Sequence, residues 1–158
     1  MTVLCCEFVF FINPLNWNSL INPKPMDSLK SSKIFIVDDD SFWRLLLKSL
    51  LQELGYTNTW CFDSTAACLE SISLNPAIVF LDYHMKGADG MTALKKIKAY
   101  DEQIIVIFLT ASEDWQVAVN ALKGGSFDYL VKTHIEEQDI LSVLEKIEQH
   151  QSQAGRIL

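Results

Sequence analysis

Residues 78–82 read Ile78-Val79-Phe80-Leu81-Asp82, four apolar side chains in a row closed by a carboxylate. A run this short, without polar alternation, fits a strand covered on both faces, and such strands belong to parallel sheets flanked by helices. The same layout recurs on either side of it. The run Ile34 to Val37 meets Asp38, Asp39 and Asp40; the apolar stretch 104–109 meets Thr110; Tyr129, Leu130 and Val131 end on Lys132. Helical patterns separate these runs, so strands are expected at about 33–37, 58–62, 77–81, 104–109 and 127–131. The second is more polar and belongs at an edge. Five strand-helix repeats joined by right-handed crossovers make an α/β fold, a doubly wound five-stranded parallel sheet with helices on both faces.

The helices follow from caps and periodicity. The first should begin at Ser41, with Phe42, Leu45, Leu46, Leu50 and Leu54 as its buried stripe and Gly55 as its stop. Asp63 and Ser64 suit the start of a second, ended by Asn75 and Pro76. Asp89 and Gly90 precede a third that turns Met91, Leu94 and Ile97 inward, with Lys95, Lys96 and Lys98 on a solvated face. A fourth is expected over 112–122, closed by Gly124 and Gly125, and a fifth over 136–150 with Ile140, Leu144 and Ile147 inside.

At 158 residues and 49% hydrophobic content the chain suits one domain with a sizeable core. A net charge of −7, with no cluster of Lys and Arg, argues against nucleic acid as a direct partner. Cys5, Cys6, Cys61 and Cys68 have neither zinc-site nor disulfide-framework spacing, so reduced thiols in the cytoplasm are expected. Residues 1–25 are aromatic and Asn/Pro-rich. They lack the basic start of a secretory signal, Glu7 interrupts their apolar run, and they are too short to span a bilayer, so no membrane association is expected. The preferred reading is that Met26 is the biological start, with 1–25 a non-native or disordered extension, 26–150 the domain and 151–158 a tail.

An open parallel sheet binds its ligand at the carboxyl ends of its strands, which is where Asp38, Asp39, Asp82, Thr110 and Lys132 all fall. Several carboxylates in one crevice repel one another and call for a cation. Oxygen ligands favour Mg²⁺, which keeps positions for water and phosphate oxygens. Lys132 can pair with Asp82 at rest and with a phosphoryl oxygen afterwards, while Thr110 offers that oxygen a hydroxyl. Singly, an aspartate or threonine at a strand end ordinarily caps the next turn, and a half-buried tyrosine such as Tyr129 is ordinary packing. The set together describes a phosphoryl site.

The ordered segments Ile36-Val37-Asp38-Asp39-Asp40, Phe80-Leu81-Asp82-Tyr83-His84-Met85 with Asp89-Gly90, Leu109-Thr110-Ala111, and Gly124 with Phe127-Asp128-Tyr129-Leu130-Val131-Lys132 resemble the receiver domain of two-component response regulators, from Lys33 to about Gln149. The resemblance implies the flavodoxin-like strand order 2-1-3-4-5. It implies that Asp82 is the phosphoacceptor, taking a phosphoryl group from a histidine kinase or histidine phosphotransfer protein, and is not an enzyme's active centre beyond weak autophosphatase activity. Asp39, Asp82 and the backbone carbonyl of His84 would hold Mg²⁺, with Asp38 acting through a water. Thr110 and Tyr129 would switch the face of the fourth helix, fifth strand and fifth helix, where a downstream effector protein binds. The expected protein is a stand-alone receiver in signal transduction or a phosphorelay.

Two positions depart from the pattern. Thr133 follows Lys132 where receivers usually have a cis-bonded proline, and Lys86 stands where many have proline. The missing proline is the one hint of an alternative, a pseudo-receiver adaptor that binds without phosphorylation. An aspartyl-phosphate phosphatase would need a second Asp two residues after Asp82, and position 84 is His. Trp43 and Tyr83 flank the acids and either tune access and dephosphorylation or pack at the surface.

Overall fold

The five expected strands form and pair in parallel in the expected order. A computed structural model describes residues 26–85, 88–112 and 114–154. In chain order its elements are α1 (Met26–Ser31), β1 (Ile34–Val37), α2 (Ser41–Glu53), β2 (Thr59–Phe62), α3 (Thr65–Glu70), a 3-10 turn (Ile72–Leu74), β3 (Ile78–Asp82), β4 (His84–Met85), β5 (Ala88–Asp89), α4 (Gly90–Tyr100), β6 (Ile105–Thr110), α5 (Trp115–Lys123), β7 (Asp128–Val131), a second 3-10 turn (Lys132–His134) and α6 (Glu137–Ala154). The large sheet runs β2-β1-β3-β6-β7, and β4 with β5 forms a two-residue antiparallel ribbon. Counting the large sheet alone, this is the order 2-1-3-4-5. The readings placed on residues 1–25, on Lys86 and on residues 155–158 lie outside the described residues.

Strand pleating sends alternate residues to opposite faces, and the core divides accordingly. Ile34, Ile36, Ile78, Phe80, Ile105, Ile107 and Leu109 meet α1, α2 and α6 on one face. Phe35, Val37, Val79, Leu81, Val106 and Phe108 meet α3, α4 and α5 on the other. β1, β3 and β6 are buried along their whole length, while β2 and β7, at the edges, are not. Among the described residues no helix is long and apolar enough to cross a membrane.

Local readings are corrected at several points. α2 buries Leu47 and Leu51, with Leu50 and Leu54 partly buried, whereas Phe42 and Leu45 are 61% and 67% exposed. Its leucines at 45, 46, 47, 50, 51 and 54 offer two overlapping stripes, and the helix takes the one that turns Arg44 toward the strand ends. Its cap is Asp40, whose Oδ1 accepts from Phe42 N at 2.9 Å, in place of Ser41. Lys98 is not on the solvated face: its ammonium donates to the carbonyls of Glu102 (3.0 Å) and Ile104 (2.6 Å), fastening the loop after α4, and burial lowers its pKa. Ahead of β1, where the sequence reading placed no element, lies the short helix α1, whose Leu29 is 1% exposed in the core.

α5 starts at Trp115, later than expected, because side chains organise the preceding loop in steps. Thr110 Oγ1 accepts from Ser112 N (3.1 Å), Ser112 Oγ from Asp114 N (3.1 Å), and Asp114 Oδ1 caps the helix through Gln116 N (2.9 Å). α3 is likewise capped by Ser64, and Asn75, at φ 54°, ends the turn that follows it. α6 runs beyond position 150 to Ala154.

Candidate functional site

Strand register brings the site together. Val37 pairs with Leu81, so Asp38, one step on, lies beside Asp82 at the end of β3. Asp82 pairs with Leu109, and Thr110 follows; Thr110 pairs with Val131, and Lys132 follows. Four neighbouring strands therefore deliver their polar terminal residues to one end of the sheet. Asp38, Asp82, Thr110 and Lys132 are all buried, and Asp39 is half-buried.

Lys132 is the centre of the pocket. Its Nζ lies 2.6 Å from Asp38 Oδ2 and 3.0 Å from Asp82 Oδ1. On another side the ammonium stands 5.8 Å from the centroid of the Trp43 ring. The described peptide bonds contain no cis geometry, so the Lys132–Thr133 bond is trans, and Lys132 still reaches both acids. Asp38 also accepts from Asp40 N through Oδ1 (2.9 Å), and its backbone carbonyl accepts from Arg44 Nη1 (2.6 Å). Burial pushes the Asp38 carboxyl up from its usual pKa, against the lowering effect of Lys132 and the Asp40 amide.

The β3 end is set by close packing as well as register. Gly90 opens α4 where an added Cβ would stand 2.9 Å from the Asp82 carbonyl oxygen and 3.0 Å from that of Tyr83, so only glycine lets the helix start this near the strand. Asp89 caps it through Met91 N and Thr92 Oγ1. Tyr83 N donates to Leu109 O (2.8 Å), and its ring packs edge-on against Phe108 and His84. The His84 side chain is exposed, and its amide reaches toward Asp82 Oδ1 at 3.4 Å. Asp40 is exposed and serves as a cap.

Asp38, Asp39 and Asp82 each offer a carboxylate oxygen, and the three atoms lie within 4.8 Å of one another. Three carboxylates gather beside the Lys132 ammonium, and the charged form of Asp38 is disfavoured by burial. An added cation would offset the repulsion among the carboxylates, and an all-oxygen donor set suits a hard divalent ion. The residues fit such an ion.

Tyr129 is half-buried and pairs in register with Phe108, so the two share a face; Thr110, two residues beyond Phe108, points to the same side. Arg44 was missed in the sequence. A cation in the first turns of a helix runs against the helix dipole, and directly after three aspartates that misplacement was a readable signal.

The chain matches the family model described as "Response regulator receiver domain" over residues 34–150. It is 36% identical over 121 residues to the DNA-binding transcriptional regulator NtrC of Escherichia coli (strain K12), covering 76% of this chain and 26% of that protein. It is 30% identical over 132 residues to the response regulator protein TodT of Pseudomonas putida, covering 81% of this chain and 58% of the relative. The chain thus spans about a quarter of the length of NtrC. Among solved structures, a response regulator receiver domain protein from Clostridium thermocellum superposes with a TM-score of 0.70 at 28% identity, covering 78% of this chain and 98% of that one. The receiver domain of NtrX from Brucella abortus gives 0.69 at 26% identity, covering 74% and 98%.

Proposed function

This chain belongs to the response regulator receiver domain family of two-component signal transduction, and on that premise we propose that Asp82 is its phosphoacceptor, served by Lys132, Thr110 and a Mg²⁺ site. The donor is a phosphohistidine on a histidine kinase or histidine phosphotransfer protein. An Asp82 carboxylate oxygen attacks phosphorus in line, the O–P bond forms, the N–P bond to the donor histidine breaks, and the imidazole leaves. Lys132 shifts from Asp82 to a phosphoryl oxygen, and Thr110 donates its hydroxyl to another. Asp39, Asp82 and the backbone carbonyl of His84 would hold Mg²⁺, with Asp38 supporting it through a water; when bound, the ion supplies charge neutralisation at the phosphoryl oxygens.

Thr110, drawn toward the phosphoryl group, vacates room on the face it shares with Tyr129, and the Tyr129 ring turns inward. The outer face of α5, β7 and α6 then changes shape. Trp115 and Leu122, seven residues apart on one side of α5 and 69% and 46% exposed, suit that face to an effector protein. The free thiols of Cys61 and Cys68 accord with a cytoplasmic setting. The reading concerns the unit spanning 34–150 and holds equally for a longer protein that contains it.

The observation that carries the proposal is the convergence of Asp38, Asp39 and Asp82 around the Lys132 ammonium. The adaptor alternative rested on the missing proline, yet with Thr133 in its place Lys132 still enters the pocket. Acetyl phosphate and Mg²⁺ supply the test, read by intact mass. One phosphoryl group should add to the parent and none to Asp82→Asn; a phosphorylated mass that persists in the variant rejects Asp82 as acceptor.

A further inference from the structure

The ammonium of Lys132 has an aromatic wall that the phosphoryl chemistry above does not use. Two sides of Nζ are taken by Asp38 and Asp82, and a third faces the Trp43 ring at 5.8 Å, within the range of cation–π attraction. Lys132 is only 6% exposed, so the attraction is little screened by water. We propose that Trp43 is a positioning residue, whose indole face holds the Lys132 ammonium in line with the strand-end carboxylates and so speeds phosphoryl uptake by Asp82. The proposal rests on the phosphoacceptor reading of Asp82.

Three features support it. Lysine has four rotatable side-chain bonds, and the chain beyond it is a single 3-10 turn whose Thr133 and His134 are exposed, so contacts at its head determine where it points. Trp43 is half-buried, Phe42 packs edge-on against its ring at 5.4 Å, and the next residue, Arg44, is anchored to the Asp38 carbonyl. The wall is also selective in what it favours. A π face attracts the ammonium but offers the carboxylates no hydrogen bond, so it leaves Nζ–H groups directed at Asp38, at Asp82 and afterwards at a phosphoryl oxygen.

The test compares Trp43→Phe, which keeps a π face, with Trp43→Leu, which keeps only bulk. The readout is the rate of acyl phosphate formation from acetyl phosphate with Mg²⁺, followed across donor concentration. Trp43→Leu should lower the maximal rate constant about two- to fivefold, with the half-saturating donor concentration unchanged, and Trp43→Phe should stay within about twofold of the parent. Side-chain NMR of Lys132 supplies a second measurement that needs no phosphorylation: its ε-methylene protons should lose a ring-current shift in the leucine variant alone. A leucine variant that matches the parent, or a phenylalanine variant as slow as leucine, overturns the assignment of Trp43 while leaving Asp82 in place. A parent that takes no phosphoryl group overturns the phosphoacceptor reading and this inference with it.

Discussion

Asp38 shows how one residue can be both well packed and electrostatically unsatisfied. It is fully buried at the end of β1, accepts from the Asp40 amide and pairs with Lys132, yet desolvation still disfavours its charge. A group held this way is suited to receiving a second positive charge, which is why its burial bears on function more than on stability. Tyr56 is a buried polar group with a structural task. Its hydroxyl donates to Glu148 Oε1 at 3.3 Å, tying the segment after α2 to α6. Burial, aided by the negative charges of Glu148 and Glu145, pushes its pKa from 10.0 up to about 12. The folded value lies above the unfolded one, so this stability is complete below pH 10 and is lost as pH climbs toward 12. Between pH 10 and 11, urea unfolding should show the parent losing up to about 1.4 kcal/mol per pH unit relative to Tyr56→Phe. A difference that stays constant with pH would contradict the assignment.

Elements were legible to unequal depth, and α2 shows why. The central strands β1, β3 and β6 were readable because each is a short apolar run with a polar stop, and the period of two leaves little freedom once both faces are buried, whereas β2 was placed at an edge by its more polar sequence. A helix with leucines at six positions can rotate by one residue without exposing an obviously polar stripe, and here tertiary contacts decided between the options. Arg44 reaching the Asp38 carbonyl fixes the rotation that sends Leu47 and Leu51 inward and leaves Leu45 outside. The two stripes predict opposite outcomes for two similar substitutions. Leu51→Ala should cost about 2–5 kcal/mol in denaturant unfolding, and Leu45→Ala should stay within about 0.5 kcal/mol of the parent. The reverse ranking would restore the stripe first expected. Caps were shifted for a related reason: adjacent Asp40 and Ser41 are both good cap residues, and backbone geometry alone selects one.

For the whole molecule, composition and strand endings gave the fold class and the pocket's residues, but spacing did not give the strand order, which came through resemblance. Once β1, β3, β6 and β7 lie in that order, register alone collects Asp38, Asp82, Thr110 and Lys132, residues up to 94 positions apart. The trans link after Lys132 was foreshadowed by Thr133, since a cis bond before a residue other than proline costs about 2.5–4 kcal/mol, whereas the Trp43 contact depends on how α2 sits against the turn after β7 and had no sequence signal of comparable strength. A pocket built from four strand ends couples its ligand to the entire sheet, because the carboxylates are gathered only in the folded chain. A divalent ion that binds the folded state and not the unfolded one must therefore stabilise the molecule globally. Mg²⁺ at ten times its dissociation constant should add about 1.4 kcal/mol, or about 3–6 °C in the thermal midpoint for a domain of this size. Chelation should reverse the gain, and Asp39→Asn should abolish most of it while the fold persists. An equal shift in the parent and in Asp39→Asn would mean that the ion acts elsewhere, since a general ionic effect does not depend on one carboxylate in the pocket.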